Sequence, residues 1–225
     1  MGRRSDPKEI TKEKLLLVEG ADEVNFFNAL FRHVNQADIQ VASVGGRDNF
    51  KNEIPMFVKA RGFGRLTKWA VIRDAEESEA INAFKSARNI LEKALKELNE
   101  SKSLDQKIKY LLPGSPGEFS SGSLPIGIFI LPDNSQPGML EDLCLKTVED
   151  HPAMKCVNDF YGCCKKLKKP PENEAKSKAE AFLAAMPKAM RKTSEDGVGI
   201  GAQKKYWNFD SEHLNPLKFF LSHLE

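Results

Sequence analysis

The sequence predicts an α/β fold: a Rossmann-like parallel sheet with helices on both faces, followed by a C-terminal helical extension. Two observations predict it. Short, continuous apolar runs suit strands buried on both faces, and after each one the apolar period changes to three and four residues, as in an amphipathic helix. The two patterns then alternate along a chain of 225 residues, 40% of them apolar, which is enough for one substantial core. The expected organisation is a flexible lead over residues 1–12, an α/β core over 13–150, and a helical, partly basic extension packed on that core over 151–225.

The first run, Leu15 to Val18, ends at Glu19-Gly20. Val24, Phe27, Leu30, Phe31 and Val34 then mark a helix, with Asp22 and Glu23 placed to complement its dipole. A second strand, Ile39 to Val44, ends at Gly45-Gly46, and Phe50 to Ala60 reads as helix despite Pro55. The third strand, Trp69 to Ile72, runs into Arg73-Asp74, and a long helical stripe follows from Ala80 to Leu98. Residues 101–125 read as a long loop, either a mobile flap or a crossing segment, because Pro, Gly and Ser dominate them. Ile126 to Leu131 is the fourth strand, stopped at Pro132, and a helix restarts over Gly138 to Val148. Beyond it come a lysine- and proline-rich joint at 165–171, a helix around Lys178 to Met186 and a closing segment from Asp210 to Leu224. Ser177 and Glu180 match a capping box for that penultimate helix.

Ligands of an open parallel sheet bind beyond the carboxyl ends of its strands, so the polar residues that follow each apolar run carry the functional argument. Those residues are Glu19, then Asp74 and Glu76, then Asp133, with Glu141 and Asp142 in the next helix. Glu19 and Asp74 share a rim if their strands are neighbours. Carboxylates brought together there repel one another unless a hard divalent cation binds them, which points to magnesium and phosphate chemistry. Glu141 and Asp142 either extend the cluster or are helix-surface charge. Gly45 and Gly46 are either a turn or a backbone bare enough for a phosphate to approach.

These residues carry a family resemblance. Leu16-Leu17-Val18-Glu19-Gly20-Ala21-Asp22 resembles the first motif of TOPRIM domains, and Ile72-Arg73-Asp74-Ala75-Glu76 resembles their Asp-x-Asp motif with Glu in the second place. Val44 to Phe50 resembles the glycine-bearing connection between the two. With Leu131-Pro132-Asp133 and Pro137 to Leu143, the match covers about residues 13–150 and is nearest to small stand-alone TOPRIM-like proteins. The resemblance implies Mg²⁺- or Mn²⁺-dependent phosphodiester chemistry on DNA or RNA, in the manner of a nuclease or phosphotransferase of phage defence or repair. Glu19 would be the general acid/base or first metal-linked carboxylate. Asp74 and Glu76 would hold the metal, with Glu141 and Asp142 as further ligands. Gly45, Gly46, Arg47 and Lys178 would contact nucleic acid, Lys178 as a lysine of the helical tail facing the acidic site. The alternative is a non-catalytic module of the same fold that binds nucleic acid or a partner protein. A receiver-like phosphoacceptor is disfavoured by the single acid after the first strand.

Several classes are excluded by other features. No P-loop is present, and the chain is too short for a strand-passage gate. No run approaches 18 apolar residues and the first fourteen are mostly polar, so neither a membrane span nor a signal peptide is expected, and the expected compartment is the cytoplasm. The net charge of +2 argues against indiscriminate binding to nucleic acid. Its distribution is uneven: residues 1–154 carry 21 basic and 23 acidic groups, residues 155–205 carry 12 and 6. Lys165, Lys166, Lys168, Lys169, Lys204 and Lys205 therefore read either as backbone contacts or as a solvated face. Cys144, Cys156, Cys163 and Cys164 lack a CxxC pair and read as buried thiols that behave as small apolar residues, rather than as a metal site or disulfide framework. A homodimer or a protein partner is left open.

Overall fold

Alternation along the buried strands divides the core into two layers. In the computed structural model, which describes residues 9–187 and 197–225, β1 (Lys14–Val18) lies between β2 (Ile39–Ser43) and β3 (Lys68–Asp74). Next come β5 (Ile126–Leu131) and the edge strand β4 (Glu118–Phe119), giving the order β2-β1-β3-β5-β4. The first four are mutually parallel, and β4 alone is antiparallel, to β5. Leu15, Leu17, Trp69, Val71, Ile128 and Ile130 face one layer, together with α2 (Phe50–Val58) and α3 (Ala80–Glu100). Leu16, Val18, Ala70, Ile72, Phe129 and Leu131 face the other, where α1 (Ala21–His33) lies. The α/β class and the helices on both faces are thus as the sequence predicts.

The extension contributes to the second layer. Residues of its α5 (Ala153–Cys164), α6 (Glu174–Ala185), α7 (Val198–Gln203) and α8 (Asn215–Ser222) share one apolar cluster with α1, the sheet and α4 (Leu140–Lys146) of the core. Trp207 anchors it, stacked on Phe182 with ring centroids 5.2 Å apart, its indole N–H donating to the Val198 carbonyl at 2.8 Å. Burying a side chain of this size contributes roughly 2–3 kcal/mol. No helix among the described residues is long and apolar enough to cross a membrane.

Four expectations change. Of the four cysteines Cys144 is buried, whereas Cys156 and Cys163 are exposed and Cys164 half-buried, because α5 turns them away from the face that carries Met154, Val157 and Tyr161. Residues 1–8 of the lead, and 188–196 of the extension, lie outside the described residues. Residues 9–12, however, are tied down: Ile10 is fully buried, its amide donates to the Arg61 carbonyl at 2.9 Å, and the Thr11 amide donates to Gln40 Oε1 at 2.7 Å. A single apolar residue among polar ones gives no periodicity to read. The long loop crosses the sheet edge and supplies β4, whose two residues are too few to show alternation. Finally, α6 starts at Glu174, not Lys178. Its cap is Asn173, whose side chain accepts the Lys176 amide at 2.9 Å, while the Ser177 hydroxyl donates back to the Asn173 carbonyl from within the helix.

Candidate metal centre at the strand ends

Parallel pairing in register puts the ends of β1 and β3 side by side, with Leu17 opposite Val71. Glu19 and Asp74 therefore emerge at one rim, and both are buried, at 6% and 9% exposure. Glu19 Oε1 accepts from Arg73 Nε at 3.2 Å and from the Asp74 amide at 3.4 Å. Arg73 alternates to the α2 and α3 layer, where it lies 4.6 Å from the Phe50 ring centroid and donates to Ser86 Oγ at 3.4 Å. Asp74 Oδ1 accepts the amide of Leu140, the first residue of α4, at 3.1 Å. One oxygen of each carboxylate is thus committed, which leaves Glu19 Oε2 and Asp74 Oδ2 for another ligand.

Glu76 completes the group through an unusual backbone. Its φ of +59° is in the left-handed region, and paired amide bonds to Gly138, 2.8 and 2.7 Å, hold it there. Gly138 itself has φ +134°, and a Cβ on it would come within 2.9 Å of Asp142 Oδ2. One carboxylate oxygen each from Glu19, Asp74 and Glu76 lie within 4.8 Å of one another, forming the sole grouping of three potential metal ligands among the described residues.

Burial dominates the electrostatics. It raises the Glu19 carboxyl despite the Arg73 charge and hydrogen bond, which pull the other way. Asp74 is raised well above the usual range, first by burial and then by the charges of Glu19, Glu23, Glu141 and Glu76. No cation pairs directly with Asp74 among the described residues, so its charge is the least compensated at the rim.

The remaining predicted residues divide. Glu141 stands outside the three-carboxylate group, though its charge raises Asp74; burial raises its own carboxyl, the Lys176 charge lowers it, and those of Glu23 and Asp22 raise it. Asp142 instead accepts the Met139 amide at 2.9 Å and closes the start of α4. Gly45 and Gly46 have φ of +81° and +110°, and their amides are engaged within the protein, by Ser43 Oγ at 2.8 Å and by the Glu19 carbonyl at 2.7 Å. They form a turn that delivers Arg47 to the rim, with Nη1 3.7 Å from Glu76 Oε1. Lys178 pairs with Glu174 at 2.8 Å and lies 5.4 Å from the Tyr161 ring centroid.

Four residues at the rim were not singled out for it from the sequence. Glu23 is half-buried, and desolvation raises its carboxyl while it accepts the Gly20 amide at 2.9 Å. Asp22 accepts the Gly199 amide at 3.1 Å, joining α7 to the start of α1. Lys176, two residues before Lys178, lines a cavity of about 200 Å³ with Asp22 and Glu141. Arg73 had only its neighbour Asp74 to mark it.

A family model matches residues 13–225. The chain belongs to DUF3226, a family described as a protein of unknown function. Comparison with curated proteins gives no match. Among solved structures, the C-terminal region of the OLD protein of Xanthomonas campestris pv. campestris, phased with mercury, is similar at 14% identity and a TM-score of 0.42, covering 95% of this chain and 97% of that one. The platinum-phased structure of the same region gives 15%, 0.42, 95% and 94%. Both likenesses are remote.

Proposed function

We propose that this DUF3226 chain is a Mg²⁺- or Mn²⁺-dependent enzyme acting on phosphodiester bonds of DNA or RNA. The observation that carries the reading is the convergence of Glu19, Asp74 and Glu76 within 4.8 Å at the ends of adjacent parallel strands, with Asp74 buried and short of a cation. Motifs that resemble those of TOPRIM domains fall on the same residues. The fit to a hard cation is good. All three donors are carboxylate oxygens, one oxygen of Glu19 and one of Asp74 remain uncommitted, and the mutual repulsion is of the kind a divalent ion relieves.

Asp74 Oδ2 and Glu76 would hold the ion, with Glu19 Oε2 beside them. A bound Mg²⁺ or Mn²⁺ supplies a Lewis acid for phosphate oxygens and lowers the pKa of an attacking water or hydroxyl. Glu19, held by Arg73 and raised by burial, is suited to carry a proton at Oε2. Lys176 sets a positive charge beside Glu23 and Glu141, limiting the negative potential that a polyanion meets on approach.

The test is nicking of supercoiled plasmid and cleavage of single-stranded DNA and RNA in Mg²⁺ or Mn²⁺. Asp74→Asn and Glu76→Gln are each expected to lower turnover by at least about 100-fold. Cleavage that survives both substitutions overturns the assignment. Strand binding without turnover in any metal transfers the reading to the non-catalytic module.

A further inference from the structure

Two arginines reach the acidic rim, and the structure treats them differently. Arg73 is fixed: its side chain is 10% exposed, its pair with Glu19 is close at 3.2 Å, and Phe50 and Ser86 hold the rest of the guanidinium. Arg47 has none of these restraints among the described residues. It is 56% exposed, follows two glycines at positive φ, and meets Glu76 at a loose 3.7 Å through one nitrogen. Glu76 is not free to follow it, because the paired amide bonds to Gly138 fix the backbone that presents its carboxylate. The less restrained partner of this pair is the cation, at 56% exposure against 26% for Glu76. Arg47 Nη1 approaches Oε1 of a residue in the ligand group, so Arg47 and a divalent ion draw on the same carboxylate and compete for its charge.

We infer that Arg47 is an exchangeable counter-ion, which holds Glu76 in the metal-free protein and turns to a phosphate oxygen of the nucleic-acid substrate once a divalent cation takes Glu76. The inference rests on the metal-site reading above. Its chemistry is economical, since a guanidinium binds carboxylate and phosphate through the same planar fork of donors. The amides of Gly45 and Gly46 are already engaged, which leaves the Arg47 side chain as the turn's means of reaching a phosphate. The exchange also couples the two ligands, because metal that neutralises Glu76 lowers the cost of turning Arg47 to a phosphate.

This arrangement predicts effects of opposite sign from one substitution. Removing Arg47 removes a competitor of the metal and a contact of the substrate. Titration with Mn²⁺ alone, followed by calorimetry, should show Arg47→Ala binding about two- to fivefold tighter than the parent protein, the gain expected from breaking one exposed ion pair. Arg47→Lys, which keeps the charge, should lie between them. In a Glu76→Gln background the Arg47→Ala gain should vanish, since the two side chains act as a pair. A labelled single-stranded oligothymidine in Ca²⁺ should bind Arg47→Ala more weakly, with the salt dependence reduced by about one phosphate contact. Mn²⁺ binding that is unchanged or weaker in Arg47→Ala overturns the exchange, as does unaltered oligonucleotide binding. Asp74→Asn separates the two readings: Mn²⁺ binding that persists in it defeats the metal site itself, whereas binding lost there but indifferent to Arg47 defeats only the exchange.

Discussion

Acidic side chains gather at both ends of the sheet, on opposite terms. Beyond the carboxyl ends of β1 and β3, Glu19 and Asp74 are buried and desolvation raises both. At the other end, where α1 finishes, a larger cavity of about 700 Å³ is lined by His33, Glu149, Tyr206, Trp207, Asp210 and His213 among others. There each acid that meets a histidine is exposed: Asp210 lies 2.9 Å from His33 and Glu149 lies 3.0 Å from His213. The hydrogen bond to His33 lowers the Asp210 carboxyl, the reverse of what happens to Asp74. Volume alone would choose the histidine-lined cavity. Uncompensated burial chooses the strand ends, because the fold spends stability to keep charge there and a cation can return it.

The sharpest way to break this contrast is Asp74→Asn. The amide keeps an oxygen for the Leu140 amide but loses the charge that burial and four neighbouring carboxylates oppose. The metal-free protein at neutral pH should therefore gain stability, by about 3 °C in Tm for each kcal/mol recovered. Stabilisation by Mg²⁺ or Mn²⁺ should disappear at the same time. A lower Tm without metal, or an intact metal response, would mean that the charge is compensated after all.

pH supplies the next effect. Glu19, Glu23, Asp74 and Glu141 all bind protons more tightly in the folded protein than their ordinary values imply. Such groups stabilise the fold where they are protonated, and that contribution is lost as pH rises from about 4, where the unfolded chain ionises, through the raised folded values. Metal-free Tm should thus fall on the alkaline side of this window, and the rise in Tm on adding Mn²⁺ should grow with pH as fewer protons must leave. Thermal melts with EDTA and with Mn²⁺ across that range measure both slopes. A Tm in EDTA that climbs over the window would contradict the assigned directions.

What the sequence made legible follows from how far each signal reaches along the chain. Glu19 and Asp74 could be found because Glu19 directly follows one apolar run and Asp74 stands one residue beyond another, and the parallel register that joins those runs was implied by the alternation of strands and helices. Lys176 could not, because its place at the rim depends on where α6 starts, and Asn173 rather than Ser177 sets that start. Glu141 and Asp142 are adjacent in sequence and equal in charge, yet the turn of α4 sends one toward Glu23 and uses the other as a cap. Arg73 reaches Glu19 only across the register of two strands. Contacts of this kind leave no local pattern to read.

The start of α6 can be tested directly. Asn173→Ala removes the side chain that accepts the Lys176 amide and should cost about 1 kcal/mol in denaturant unfolding. Ser177→Ala loses only a hydroxyl bonded back to its own helix and should cost less than about 0.5 kcal/mol. The reverse order would restore the helix start that the Ser177 and Glu180 pattern suggested, and with it Lys178 rather than Lys176 near the first turn.

The smallest expected effects lie at the histidine-lined cavity, and they bound the comparison from its other side. His33→Ala and His213→Ala each remove one member of an exposed pair, with Asp210 80% and Glu149 60% exposed. Water replaces the lost partner in each case, so the change in stability should stay within about 0.5 kcal/mol. The Mn²⁺-induced rise in Tm should match that of the parent protein, because α1 separates His33 from the rim by its full length of 13 residues, about 20 Å. A double variant measured with and without Mn²⁺ checks both statements. If it blunts the metal response, the two ends of the sheet are coupled and the carboxylates at the strand ends do not form a self-contained site.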